Sequence, residues 1–196
     1  MTFDSEGDSA LHVVAAAGDS KDYLKCAEII HDKAKHLLQE INKKGDTPVH
    51  CAARAGNRNM VSCLIEMAAG ENDGGAVRHE LLRKRNKVGG TALHSAIRSG
   101  NFQLIEMLIW EDPELACIPY DGTSPLYLAI SSSELCLHCV LQLFQSCGFS
   151  PSGPDGQNVL HIAVFRDVVC GKGTYRHVMQ NILVSFIGFY NSFINS

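Results

Sequence analysis

No basic stretch followed by an apolar run opens this 196-residue chain, and it contains no Asn-x-Ser/Thr acceptor, so nothing in it supports secretion. An excess of charge is missing too. Seventeen Lys and Arg stand against 21 Asp and Glu, a formal net charge of -4, which gives no global pull toward nucleic acid or an anionic membrane. The cytoplasm is then the default compartment. There the eight cysteines, at 26, 51, 63, 117, 136, 139, 147 and 170, read as reduced thiols rather than a disulfide framework.

What the chain does have is a repeated phrase. "GDSALHVVAAAG" begins at Gly7, "GDTPVHCAARAG" at Gly45, "GGTALHSAIRSG" at Gly89, "GTSPLYLAISSS" at Gly122 and "GQNVLHIAVFRD" at Gly156. Aligned on His12, His50, His94, Tyr127 and His161, the copies are separated by 38, 44, 33 and 34 residues. Five residues before each anchor stands a glycine, suited to a tight turn at positive φ. Three before it, Ser9, Thr47, Thr91, Ser124 or Asn158 is able to cap a helix.

Pro48 and Pro125 fit the first turn, where a missing amide costs nothing. Leu11, Val49, Leu93, Leu126 and Leu160 precede the anchors, and small residues follow two positions later, as close helix packing requires. Gly18, Gly56 and Gly100 are expected as left-handed stops, whereas Ser133 and Asp167 should end their helices less cleanly. A second helix follows in each copy. Met60, Val61, Leu64 and Ile65 recur at the spacing of Leu104, Ile105, Leu108 and Ile109. Copy one offers the longer run Tyr23, Ala27, Ile30, Ala34, Leu37, Leu38, and copy four Leu137, Val140, Leu141, Phe144.

Three stretches invite a chemical reading. The anchor histidines lie one per repeat instead of converging on one point, so they are expected to bridge backbone between repeats. "CLHC", Cys136 to Cys139, has metal or redox spacing but no second pair, and it falls in an apolar helical stretch. "RHELLRKRNK", with Arg78, Arg83, Lys84, Arg85 and Lys87, resembles a nuclear-localisation or nucleic-acid patch. It is read as an 11-residue insertion with a solvated charged face, whose Leu81 and Leu82 point to a helix on the stack. No nucleophile, base and orienting group assemble, so no catalytic residue, metal site or cofactor is assigned and the chain is not read as an enzyme.

The Thr-Pro-Leu-His type of opening, in a repeat of about 33 residues, resembles the ankyrin-repeat family. The resemblance implies an all-α ankyrin-repeat solenoid of about five helix-turn-helix repeats, with the array over 1–168 and a degenerate outer helix and apolar tail over 169–196. "NKKGDTPVHCAARAGN" and "DPELACIPYDGTSPLYLAI" are most similar to plant ankyrin proteins of the accelerated-cell-death type, which carry a carboxy-terminal PGG membrane domain. No Pro-Gly-Gly motif and no set of membrane spans follow here.

That resemblance implies a non-enzymatic protein-binding scaffold in stress or defence signalling. It is placed in the cytoplasm or on the cytoplasmic face of the plasma membrane, where family members are anchored. The alternative is a truncated product with little independent activity. Partner contacts in the family lie on the turn tips and four and five residues after the anchor. Carried over, these are Lys43, Lys44, Asp46, Arg54 and Ala55; Lys87, Val88, Arg98 and Ser99; and Tyr120, Asp121, Thr123, Ser131 and Ser132. Lys43, Lys44, Arg54, Lys87 and Arg98 make a basic stripe whose expected ligand is an acidic protein segment, with Arg54 and Arg98 side by side. No nucleic acid is expected as a partner.

"HVMQNILVSFIGFY", from His177 to Tyr190, is interrupted by Gln180 and Asn181 and too short for a transmembrane span, which needs about 20 predominantly apolar residues. Val178, Met179, Ile182 and Leu183 instead repeat the outer-helix spacing with a seven-residue displacement. The segment is expected to be the outer helix of the fifth repeat, with Phe186 and Ile187 continuing its stripe.

Overall fold

A computed structural model of the chain describes residues 6–70, 75–119, 122–132 and 150–170, together with Gln180 and Val184. Leu137, Val140, Leu141 and Phe144, the Cys136–Cys139 pair, and the 178–190 segment apart from Gln180 and Val184 lie outside the described residues.

Each copy of the phrase opens a short helix: α1 (Ala10–Ala17), α3 (Pro48–Ala55), α6 (Ala92–Ser99), α8 (Pro125–Ser132) and α9 (Val159–Cys170). The preceding glycines Gly7, Gly45, Gly89, Gly122 and Gly156 all take positive φ, as a tight turn demands. Ser9, Thr47 and Thr91 hold extended backbone and form capping boxes with the histidine three residues on. In this form the imidazole Nδ1 plays the part usually given to a glutamate. The amide of Tyr127 donates to Ser124 Oγ at 3.2 Å, and the amide of His161 to Asn158 Oδ1 at 3.2 Å.

These helices stack in order, α1 on α3, α3 on α6, α6 on α8 and α8 on α9. Their contact is made by Leu11, Val49, Leu93 and Leu126, all fully buried, and by Ala52, Ala96, Ala129 and Ala163. The small residues let the helices approach closely, and the leucines fill the space between them. Second helices α2 (Lys21–Lys33), α4 (Arg58–Ala69) and α7 (Phe102–Glu111) pack against their own first helices. Met60, Val61, Leu64, Leu104, Ile105 and Leu108 are all buried, as the helical spacing predicts.

Three expectations are corrected. Gly56 and Gly100 are left-handed at φ 76° and 69°, but Gly18 is extended at φ 165°. Glycine is favoured at 18 for space, because a Cβ there would stand 2.8 Å from the Tyr23 ring. The copy-one run is not one helix either. α2 stops at Lys33, Ala34 turns out of helical geometry at φ -151°, and Lys35–Leu38 forms a separate 3-10 turn. With Asp167 where other copies place glycine, α9 continues to Cys170.

The third correction concerns the insertion. Residues 76–83 form α5 (Ala76–Arg83), which buries Leu81 and Leu82. Leu37 and Leu38 lie 13 and 12 residues before His50, and Leu81 and Leu82 stand at the same offsets from His94. In the next repeat the 3-10 turn Pro113–Cys117 buries Leu115, 12 before Tyr127, and Ala116. The end of α5 is therefore the recurrent third element of the unit, and the insertion lengthens it into a helix.

Candidate functional site

Three of the four anchor histidines are consumed by the stack, whereas His161 is exposed and turns its Nδ1 to Asn158 of its own cap. His12 Nε2 meets the Asp46 carbonyl at 2.8 Å, His50 Nε2 the Gly90 carbonyl at 3.2 Å and His94 Nε2 the Thr123 carbonyl at 2.9 Å. Nδ1 of the same rings accepts the amides of Ser9, Thr47 and Thr91 at 3.2, 3.2 and 3.1 Å. An amide can only donate and a carbonyl only accept, so the proton resides on Nε2. Burial pushes the His94 imidazole down to about 4 and lowers His50 as well, keeping both neutral. Tyr127 replaces the imidazole: its hydroxyl reaches Gln157 Oε1 of the next repeat at 2.5 Å, and its ring leaves no room for a Cβ at Gly153.

A second set of bridging residues escaped the sequence reading. Asn42 and Asn86 stand eight residues before their anchors, and each closes its own turn by accepting two backbone amides. Their amide groups then donate to the preceding tip, Asn42 to Asp8 Oδ1 and Asn86 to Asp46 Oδ1, both at 2.7 Å. Seven after the anchors, Asn57 donates to the Ala15 carbonyl and Asn101 to the Gly56 carbonyl, both at 2.9 Å. Equal offsets in copies two and three are the available signal.

This network removes Asp46 from the expected partner contacts. The residue is fully buried, receiving Asn86 and an ion pair from Arg54. Burial alone would raise its carboxyl, but those hydrogen bonds hold it below the ordinary carboxylate range. Lys43, Lys44, Arg54, Ala55, Lys87, Val88, Arg98, Ser99 and Ser132 are exposed, and Thr123 and Ser131 are half-buried. Tyr120 and Asp121 lie outside the described residues. Ser99, Ser131 and Ser132 donate their hydroxyl protons inward, to the carbonyls of Ala96, Leu128 and Leu128.

The structure separates the cations that the sequence joined. Lys44 pairs with Glu6 at 2.9 Å and Arg54 with Asp46, whereas Lys87 and Arg98 have no carboxylate partner among the described residues. Nor is the α5 charge simply solvated. Arg78 meets Glu111 at 3.1 Å, Arg83 holds Asp112 at 2.5 and 2.9 Å and Glu114 at 2.7 Å, and His79 lies 3.3 Å from Asp112. The basic run is partly neutralised by α7 and the turn after it.

Burial pushes the Cys51 thiol up to about 12 and Cys63 to about 11, so neither is an active nucleophile. Among the described residues no group of His, Cys, Asp and Glu is placed to hold a metal ion. No helix among them is long and apolar enough to cross a membrane.

Helical hairpins stacked through one repeated histidine bridge define an α-solenoid repeat protein. Residues 2–73 match the family model described as ankyrin repeats (3 copies), and the fold is an all-α ankyrin-repeat solenoid. A search of the curated proteins finds no match to the chain. An array of ankyrin repeats is a protein–protein interaction domain.

Proposed function

We propose that the array is a non-enzymatic scaffold whose turn tips and first-helix ends receive an acidic segment of a partner protein. The supporting observation is a division of labour within each repeat. In the first four copies the capping, anchor and packing positions are buried and spent on the stack, while Lys43, Lys44, Lys87, Val88, Arg98 and Ser99 remain exposed at the recurrent outward positions. Long-range attraction of this kind accelerates encounter and is screened by salt.

An acidic peptide titrated into the protein at low and high ionic strength tests the reading. Association should slow sharply with salt, and Arg98→Glu should reduce it further. Binding indifferent to both would make the exposed cations a solvated surface. The likeness to plant ankyrin proteins supports a place in stress or defence signalling on the cytoplasmic side of a membrane. Fractionation of cells between cytosol and membrane addresses that part. The array extends in this proposal over 1–168, with 169–196 as an appended outer helix and tail.

A further inference from the structure

Building on the scaffold reading, we infer that the acidic partner is held at the third repeat, by Arg98 with Lys87 beside the exposed Val88, and that Arg54 is a structural cation with no share in binding. Arg54 and Arg98 stand four residues after their anchors, but their surroundings differ at one position. Four before the anchor the second repeat has Asp46 and the third has Gly90. Asp46 turns inward, and Arg54, with its side chain 48% exposed, closes on it. Burial would lower the Arg54 guanidinium, yet its bond to Asp46 holds it above the ordinary value. That cation is already matched.

Gly90 supplies no carboxylate, so Arg98 meets no such partner among the described residues. Arg98 stands one turn after His94 on α6, and its charge together with that of Arg85 opposes protonation of the buried imidazole. Lys87 follows on the tip, and Val88 beside it is 78% exposed. Val88 breaks the run of cations: copy two has Lys44 at that offset, paired to Glu6. Among the described residues the second repeat thus pairs Lys44 and Arg54 with carboxylates, whereas Lys87 and Arg98 of the third have no carboxylate partner and Lys87 adjoins an apolar side chain. The matching ligand is an acidic peptide in which a hydrophobic residue adjoins the carboxylates.

Fluorescence anisotropy with a fluorescein-labelled peptide of alternating Glu and Leu, read beside thermal unfolding of the full chain, tests the assignment. Arg98→Gln should weaken binding about tenfold at low salt while leaving the melting temperature unchanged. Arg54→Gln should do the reverse, lowering the melting temperature by several degrees with affinity nearly intact. Gly90→Asp, which rebuilds the second repeat's pairing in the third, should weaken binding as Arg98→Gln does. A Cβ at 90 would lie 3.3 Å from the His94 Cβ, so Gly90→Asn serves as the uncharged control for crowding.

Equal loss of affinity in Arg54→Gln and Arg98→Gln, or unaltered binding by Gly90→Asp, would overturn the inference and leave the acidic scaffold standing. A wild-type protein that ignores the peptide removes the acidic partner itself. Even then, equal melting temperatures for the two arginine variants would refute the structural role given to Arg54.

Discussion

At the scale of single residues, the histidine bridge couples the stack to pH. His94 titrates at about 4 in the folded chain against an ordinary value of about 6.5 once unfolded. The unfolded chain therefore takes up the proton that the folded chain refuses. Stability from this group is complete above about pH 6.5 and falls as the pH drops toward 4, by roughly 3 kcal/mol over the window. Arg98, Arg85 and His50 all act against protonation there. Urea unfolding at a series of pH values should show that slope in the wild type and a shallower one in His94→Gln; identical slopes would remove the coupling. Asp46 and Asp112, held low, add their loss only in stronger acid, below about pH 4. The anchors were readable because the first four copies keep a bridging polar group at one offset. Asp46 was misread because an offset fixes where a residue sits along a tip, not whether its carboxylate turns outward or in toward Asn86 and Arg54.

At the scale of elements, both hairpin helices of the first three copies could be read from caps, glycines and apolar spacing. The third element could not. In copy one it is a 3-10 turn of four residues and in copy two the end of an eight-residue helix, so no single period describes it. What recurs is the paired burial of Leu37 and Leu38, Leu81 and Leu82, and then Leu115 and Ala116. Leu82→Ala should accordingly cost about 2 to 5 kcal/mol in chemical unfolding, the range for a filled core position rather than an appended loop. A loss well below that would restore α5 to the status of an insertion. The same scale explains the missed asparagines. A rule requiring agreement among five copies discards residues that only copies two and three share, although Asn42, Asn57, Asn86 and Asn101 each tie one element to its neighbour.

For the whole molecule, a stack joined only to nearest neighbours should unfold as a chain of coupled units. Its histidine bridges all point one way. His12, His50 and His94 each give a proton to a carbonyl of the following repeat and take nothing equivalent from the preceding one. Removing the first repeat exposes the Asp46 carbonyl, which water can satisfy. Truncation after residue 119 removes the Thr123 carbonyl from His94 and hands its Nε2–H to water, a net loss of about 0.5 to 1.5 kcal/mol for the exchanged hydrogen bond. His94→Leu should cost less in the shortened chain, where only the α6 capping box is lost, than in the full chain, where the bridge to Thr123 goes as well; matching effects in the two backgrounds would argue against the bridge. The arrow also runs along the order of synthesis. While the polypeptide leaves the ribosome, the imidazole of each finished hairpin waits for a carbonyl not yet translated, 34 residues away for His12, 40 for His50 and 29 for His94. The growing end is therefore always the incomplete one, and a pause in translation holds the nascent array open at its newest repeat.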